Sequence, residues 1–322
     1  MFEYVVKTFR GGIHPPTEKR RTEKKPLETM PPPERAVIPL RQHTGAPARA
    51  TVKMGDRVKT GQCIGRGPGF VTTTMHASIS GEVVSIKPQK HPVFRSCDAI
   101  EIKADGKDEW EYGTKRSRDR LADITPEEIK TTVTESGIVG LGGAAFPTHV
   151  KLSPPPEKKI ELYILNGAEC EPYLTADDRV MQERTADVVL GLRLMMKAVG
   201  VSRAIIGVEA NKPDSLRVLS AAVGNNPNIR LAKLRTKYPQ GSEKQLIRVL
   251  TGREIPRGGL PMDVGVAINN VGTALAVAEA MFDGKPLVER ALTVTGTAIV
   301  EPKNLIVRMG TSFHDVINFC GG

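Results

Sequence analysis

Residues 140–152 read GLGGAAFPTHVKL and residues 166–179 read NGAECEPYLTADDR. In the first stretch, Gly140, Gly142 and Gly143 leave backbone N–H groups with little side chain in front of them. Such a nest at a helix start attracts phosphate. Phe146 offers an aromatic face for stacking a flat ring, and Lys151 lies about one helical turn beyond, where its ammonium would neutralise phosphate charge. No GK[ST] follows, as a Walker loop requires, and the three glycines do not fit GxGxxG. Alone, a glycine-rich turn of this kind is more often structural than functional.

The second stretch follows the apolar run IELYILN, residues 160–166. At the carboxyl end of a strand, where open α/β sheets bind ligands, Asn166, Glu169 and Glu171 are expected to project toward a crevice. An amide beside carboxylates suits ribose hydroxyls or the edges of a flavin ring, which carry donors and acceptors. The competing reading is a solvated acidic loop. Acid–base chemistry is less favoured, because no histidine or nucleophile stands beside these acids in sequence. Two further stretches have the same character. YPQGSEKQLI, residues 238–247, puts Tyr238, Gly241 and Glu243 at a helix start, and INNVGT, residues 268–273, puts Asn269, Asn270 and Thr273 between a strand and the next helix.

The elements that must position these loops alternate. IELYILN and RAIIGVE read as buried strands, each followed by a helical stretch, residues 184–200 and 213–224. IRLAKLRT, SEKQLIRVLTG, VGVAIN and GTALAVAEAMFDG continue the pattern to about residue 284. This predicts an α/β fold with a mostly parallel sheet covered on both faces, over residues 123–284. Its first helix is marked by Thr125 as cap, Pro126 at the first position and Glu127 and Glu128 in the first turn. Upstream, residues 37–104 carry β-branched residues between glycine turns, as in TVKMGDRVKTGQCIGRG and HASISGEVVSIKP, and predict a small β-sandwich. Residues 1–36 read as a basic, proline-rich extended arm and residues 105–122 as a polar linker. Residues 285–322 hold two strand-like runs and a short helix, with Ser312 and Asp315 spaced as a capping box, and suggest a small β-grasp domain.

Composition narrows the function classes. No apolar run approaches the roughly 18 residues of a membrane span, and the N-terminal residues do not read as an export signal, so a cytosolic location is expected. The net charge of +10 is concentrated in KTFRGGIHPPTEKRRTEKKP. A basic arm of this kind is either a solvated tail or a contact for lipid or an acidic partner. Nucleic acid is not an expected partner, because aromatic residues are only 4% and no recognition signature accompanies the charge. Cys63, Cys97, Cys170 and Cys320 are too widely spaced for a zinc ribbon or a ferredoxin-type cluster, so no metal site is expected.

Taken in order, GLGGAAFPTHVK, NGAECEP, YPQGSEKQL and NNVGT resemble the flavin-binding subunit of respiratory complex I, whose motifs run GRGGAGFPTGLK, NADESEP, YICGEETAL and NNVET. FRGGIHPP, the sandwich and GAECEPYLTADDR in this order are more specifically similar to the C-subunit of the bacterial Rnf electron-transport complex. The sandwich resembles the barrel-sandwich hybrid of biotinyl and lipoyl carriers, but TTTMHASISG has Met75 and His76 where those present a lysine, so an unmodified docking module is expected. The resemblance implies FMN held by Gly140, Gly142, Gly143, Lys151, Asn166, Glu169, Tyr238, Gly241, Asn269, Asn270 and Thr273. It implies NADH contacts at Phe146, Glu171 and Glu243. Leu141, Ala168, Cys170 and Ser242 depart from the complex I pattern, which has arginine, aspartate, serine and glutamate there. The third domain resembles the soluble-ligand-binding β-grasp of both families.

The implied function is electron transfer between NAD(H) and ferredoxin through FMN, in a peripheral subunit on the cytoplasmic side of the cell membrane, with membrane-embedded Rnf subunits as partners and no catalytic side chain beyond the flavin. The 4Fe-4S clusters of that family sit in a C-terminal module with closely spaced cysteines; this sequence reaches Gly322 without one, so a fragment of a longer protein is expected. A flavin-dependent cobalamin reductase and a non-catalytic docking scaffold are the alternatives.

Overall fold

The computed structural model describes residues 2–322. Strands β1 (Phe2–Lys7) and β2 (Leu27–Thr29) come from the basic segment. Next are β3 (Arg35–Pro39), β4 (Arg49–Ala50), β5 (Arg57–Val58), β6 (Cys63–Arg66), β7 (Met75–His76), β8 (Gly81–His91) and β9 (Arg95–Ala104). They form two antiparallel sheets, ordered β3-β9-β8-β5 and β4-β6-β7, closed over Ile38, Ile64, Ile79, Ile100 and Ile102. Strand alternation sends all but Ile79 of these inward, Ile79 lying in the bend before β8, and burying each contributes about 1.5–3 kcal/mol.

The α/β unit contains α1 (Pro126–Glu135), α2 (Thr148–Lys151), β10 (Leu162–Gly167), α3 (Ala176–Glu183), α4 (Thr185–Val199), β11 (Ala204–Glu209), α5 (Pro213–Val223), β12 (Ile229–Leu234), α6 (Glu243–Thr251), β13 (Val266–Asn270) and α7 (Val271–Ala278). The sheet runs β1-β12-β11-β10-β13, parallel throughout. Its central strands β10, β11 and β13 are apolar on both faces because both are covered. Tyr163 and Leu165 pack with Val188, Leu192 and Val277, whereas Ile164 on the opposite face packs with Leu246, Leu250 and Ile268. Thr125 and Glu128 cap α1 reciprocally.

Last come β14 (Glu289–Val294), β15 (Lys303–Arg308) and α8 (Phe313–Phe319). Ser312 accepts from the Asp315 N–H, one half of the expected capping box.

The arm differs from its sequence reading. β1 is an edge strand of the central sheet, parallel to β12, and β2 is the third strand of the terminal sheet, parallel to β15. Lys19 and Thr22 between them are buried. The terminal unit is therefore completed by a strand from the other end of the chain; buried Asn304 donates to the carbonyls of Thr22 and Lys25. The polar segment 105–122 is also anchored: Trp110 lies under the Arg308 guanidinium, 4.6 Å from its ring centroid, and Asp108 accepts from Arg308 at 2.8 Å.

The hairpin where carriers present a lysine is plugged into α1. His76 Nδ1 lies 2.7 Å from the Gly61 carbonyl and Nε2 2.8 Å from that of Glu135, and Thr73 and Thr74 hydroxyls both donate to the Thr134 carbonyl. Those are among the last carbonyls of the helix, which have no partner within it.

Candidate functional site

The four motif loops converge where β10 and β13 end. The glycine loop is closed at its base by a Gly140 N–H bond to the Phe146 carbonyl at 2.9 Å and fixed to α7 by a Leu141 N–H bond to the Thr273 hydroxyl at 2.9 Å. Beyond that base, Gly142, Gly143 and Ala144 are exposed. Among the described residues, no group accepts from the N–H groups of Gly142 through Ala145. Gly143 has φ +124° with open space where a Cβ would project, so its need for glycine is conformational. At Gly142 a Cβ would lie 3.1 Å from that of Asn270, so there the need is close approach.

The acidic loop after β10 is stitched to the loop before α6. Asn166 Nδ2 donates to the Gly241 carbonyl at 2.8 Å, while its Oδ1 accepts from Ala168 N–H at 3.0 Å. The Gly241 N–H donates to Cys170 Sγ at 3.2 Å, and a Cβ on Gly241 would sit 2.2 Å from the Ala168 carbonyl. Only glycine permits that approach. Tyr238, in the same loop, faces Glu171, whose charge pushes the phenol pKa up. Burial raises that of the Cys170 thiol.

Several side chains stand otherwise than their motifs suggest. Glu169 does not project into the crevice. It is buried, with Oε1 accepting from Asp177 N–H at 2.8 Å and Oε2 from the Lys212 ammonium at 3.0 Å. Lysines from the loop after β11 and from the arm draw it inward, and neither is near it in sequence. Asn269 is likewise buried, with Oδ1 accepting from the Tyr163 hydroxyl at 2.7 Å; burial drives that phenol's pKa strongly upward. Thr273 is buried and commits its hydroxyl to the glycine loop. Lys151 and Glu243, assigned to different ligands, pair with each other at 3.0 Å, the lysine also reaching the Ile268 carbonyl.

Asn270 caps α7 through Gly272 N–H and donates from Nδ2 to Asp177 at 2.6 Å. Asp177 was not singled out in the sequence. Burial, then the Glu169 charge, pushes its carboxyl pKa up to about 6. Its one local signal is its place in the first turn of α3.

The side chains therefore separate by depth. Gly142, Gly143, Phe146, Lys151, Glu171, Tyr238 and Glu243 reach the surface of the crevice wholly or in part, and Glu169, Asn269 and Thr273 support it from beneath.

Residues 133–279 match the Nuo51 FMN-binding domain family, and residues 7–107 match the RnfC barrel sandwich hybrid domain. The chain is 50% identical over 318 residues to the C-subunit of the proton-translocating ferredoxin:NAD(+) oxidoreductase complex of Clostridium ljungdahlii, covering 99% of this chain and 69% of that one. It is 48% identical to the Na(+)-translocating counterpart of Acetobacterium woodii, over 98% and 71% of the two chains. To the C-subunit of the ion-translocating oxidoreductase complex of Citrobacter koseri it is 43% identical, over 97% of this chain and 44% of that one. An NAD+-reducing [NiFe]-hydrogenase has the same fold over 64% of this chain and 41% of its own, with TM-score 0.55 and 24% identity. The chain belongs to the C-subunit family of the ion-translocating ferredoxin:NAD(+) oxidoreductase, or Rnf, complexes.

Proposed function

We propose that the glycine loop holds the phosphate of FMN and that the crevice between it and the Glu171 and Glu243 loops takes the nicotinamide nucleotide. The observation that carries this is the row of N–H groups from Gly142 to Ala145, without a partner in a loop exposed from Gly142 to Ala144, beside the carboxyl end of a parallel sheet. The residues fit the group: Gly143 leaves open space, and Lys151 supplies a cation within reach of the crevice.

FMN, when bound, supplies hydride exchange with NAD(H) and the passage of electrons onward singly. The chain supplies orientation and charge. Lys151 exchanges Glu243 for phosphate, which frees the Glu243 carboxylate for a ribose or nicotinamide amide donor. Phe146 stacks on a ring, and Glu171 fixes the nucleotide from the opposite loop, with Tyr238 beside it at the border with the flavin. Asn269, Thr273 and Glu169 act by holding those loops. No side chain here has to move a proton.

In the assembled complex the subunit exchanges electrons between ferredoxin and NAD(H) on the cytoplasmic side, beside membrane-embedded subunits that move the ion. Among the described residues no helix is long and apolar enough to cross a membrane. The 4Fe-4S clusters are assigned to a module outside this chain.

The test is anaerobic. The purified chain is mixed with FMN, excess is removed, and NADH is added while the flavin band is followed. About one FMN per chain, bleached by stoichiometric NADH, is expected; failure to retain flavin overturns the reading.

A further inference from the structure

The basic arm crosses both loops that carry the proposed nucleotide contacts, and a short piece of it does so. Ile13 pairs with Tyr238 in both directions, N–H to carbonyl, each at 2.9 Å. Thr17 accepts from the Tyr173 N–H at 2.8 Å. Lys19, only 4% exposed, donates to the carbonyls of Glu169 and Glu171, each at 2.9 Å, and to that of Leu174. An ammonium has three donors, so all are taken up by one turn of the acidic loop. From the other side, Lys237 donates to the carbonyls of Phe9 and Gly11 and lies over the Phe9 ring at 3.8 Å. Each partner thus clasps the other's backbone with a lysine.

Beside the clasp opens a cavity of about 170 Å³, lined by His14, Lys19, Cys170, Glu209, Lys237 and Tyr238 among others. On this side the acidic loop is held to the arm by directional bonds. Charge-assisted bonds to carbonyls are the stronger kind, and both Glu171 and Tyr238 are set by arm residues 13–19.

We propose that the arm is a strap that pre-forms the nicotinamide-nucleotide half of the site, with Lys19 as its positioning residue. This rests on the proposed assignment of that site to FMN and NAD(H). The strap removes in advance the conformational freedom that the Glu171 and Tyr238 loops would otherwise lose on binding, so it acts on nucleotide affinity. The phosphate-binding glycine loop is tied to α7 and not to the arm, so FMN retention depends on the arm less than nucleotide affinity does.

The experiment uses the full chain loaded with FMN and follows NADH oxidation with an artificial electron acceptor. Lys19→Met keeps the stem and removes the donors. The expected result is a KM for NADH raised about tenfold, with kcat and FMN content changed less than about twofold. Hydrogen exchange should quicken at residues 169–175 and 238–241, and Lys19→Arg, which keeps donors at that position, should recover part of the affinity. An unchanged KM, or a higher KM accompanied by parallel losses of kcat, flavin content and melting temperature, overturns the proposal; the second pattern assigns Lys19 to the fold alone. If Lys19→Met does not accumulate folded, Lys237→Met frees the strap from its other clasp and is read by the same criteria. Wild-type bound flavin that NADH cannot bleach counts against the site reading itself, and the loop exchange rates still decide whether the strap orders the loops.

Discussion

Glu209 ends β11 with Oε2 buried and unpartnered, while Oε1 faces the Lys237 N–H at 3.4 Å. Burial pushes its pKa up from 4.5 to about 7, and Lys19 and Lys212 nearby pull the other way. A carboxyl that holds its proton more tightly folded than unfolded lowers stability as pH rises from about 4.5 to 7. Asp177 acts in the same direction up to about 6. His43, His76 and His149, each lowered from 6.5 by burial, oppose it on the acid side. The informative quantity is therefore the difference between wild type and Glu209→Gln. The variant is expected to gain on the order of 1–3 kcal/mol at pH 8 and little at pH 5, measured by denaturant melts at both pH values; an equal effect at both would rule out titration as the cause. Gly143 gives a second prediction. At Gly143 a Cβ would meet no atom in the fold, but Gly143→Val forces a β-branched residue to φ +124° and adds bulk beside the free N–H groups. FMN retention should fall at least about tenfold for a destabilisation of only ~1–3 kcal/mol, checked by flavin content against melting temperature.

At the scale of elements, α4 and α7 approach so closely that a Cβ on Gly191 would lie 1.8 Å from the Ala274 carbonyl. That contact sets the height of α7 against the sheet, and with it Asn270 and Thr273, which hold the glycine loop. Gly191→Ala should cost about 1–3 kcal/mol or more and lower flavin retention although it lies outside the crevice; unchanged thermal melts would show that the helices move apart freely. The alternation of strands and helices was legible because each is a local apolar pattern bounded by its own caps and turns. The direction of a loop side chain was not. Glu169 and Glu171 sit two residues apart in one acidic loop, and what separates them is Lys212 and Lys19, 43 and 150 residues away. Lys151 and Glu243 looked like ligands for two different groups for the same reason: spacing along the chain carries no sign of an ion pair across 92 residues.

At the scale of the molecule, the N-terminal segment belongs to two sheets at once. Its proline clusters and charges are those of a solvated arm, yet FEYVVK carries a β-strand composition whose partner, β12, lies more than 220 residues on. Deleting residues 1–30 should therefore lower the melting temperature by about 10 °C or leave the chain insoluble, since it uncovers one sheet edge and removes a strand from another. A shift of about 1 °C would mark a dispensable tail. The pairing of β2 with β15, Leu27 opposite Asn304, also has a consequence for biosynthesis. A ribosome must pass residue 308 before β2 finds its neighbour, whereas the sandwich can close as soon as residue 104 has emerged. Residues 27–29 thus settle after the sandwich that follows them in the chain, because long-range pairing must wait for loop closure. In a nascent chain the strap can close on both loops only once residue 238 has emerged, long after the sandwich is complete.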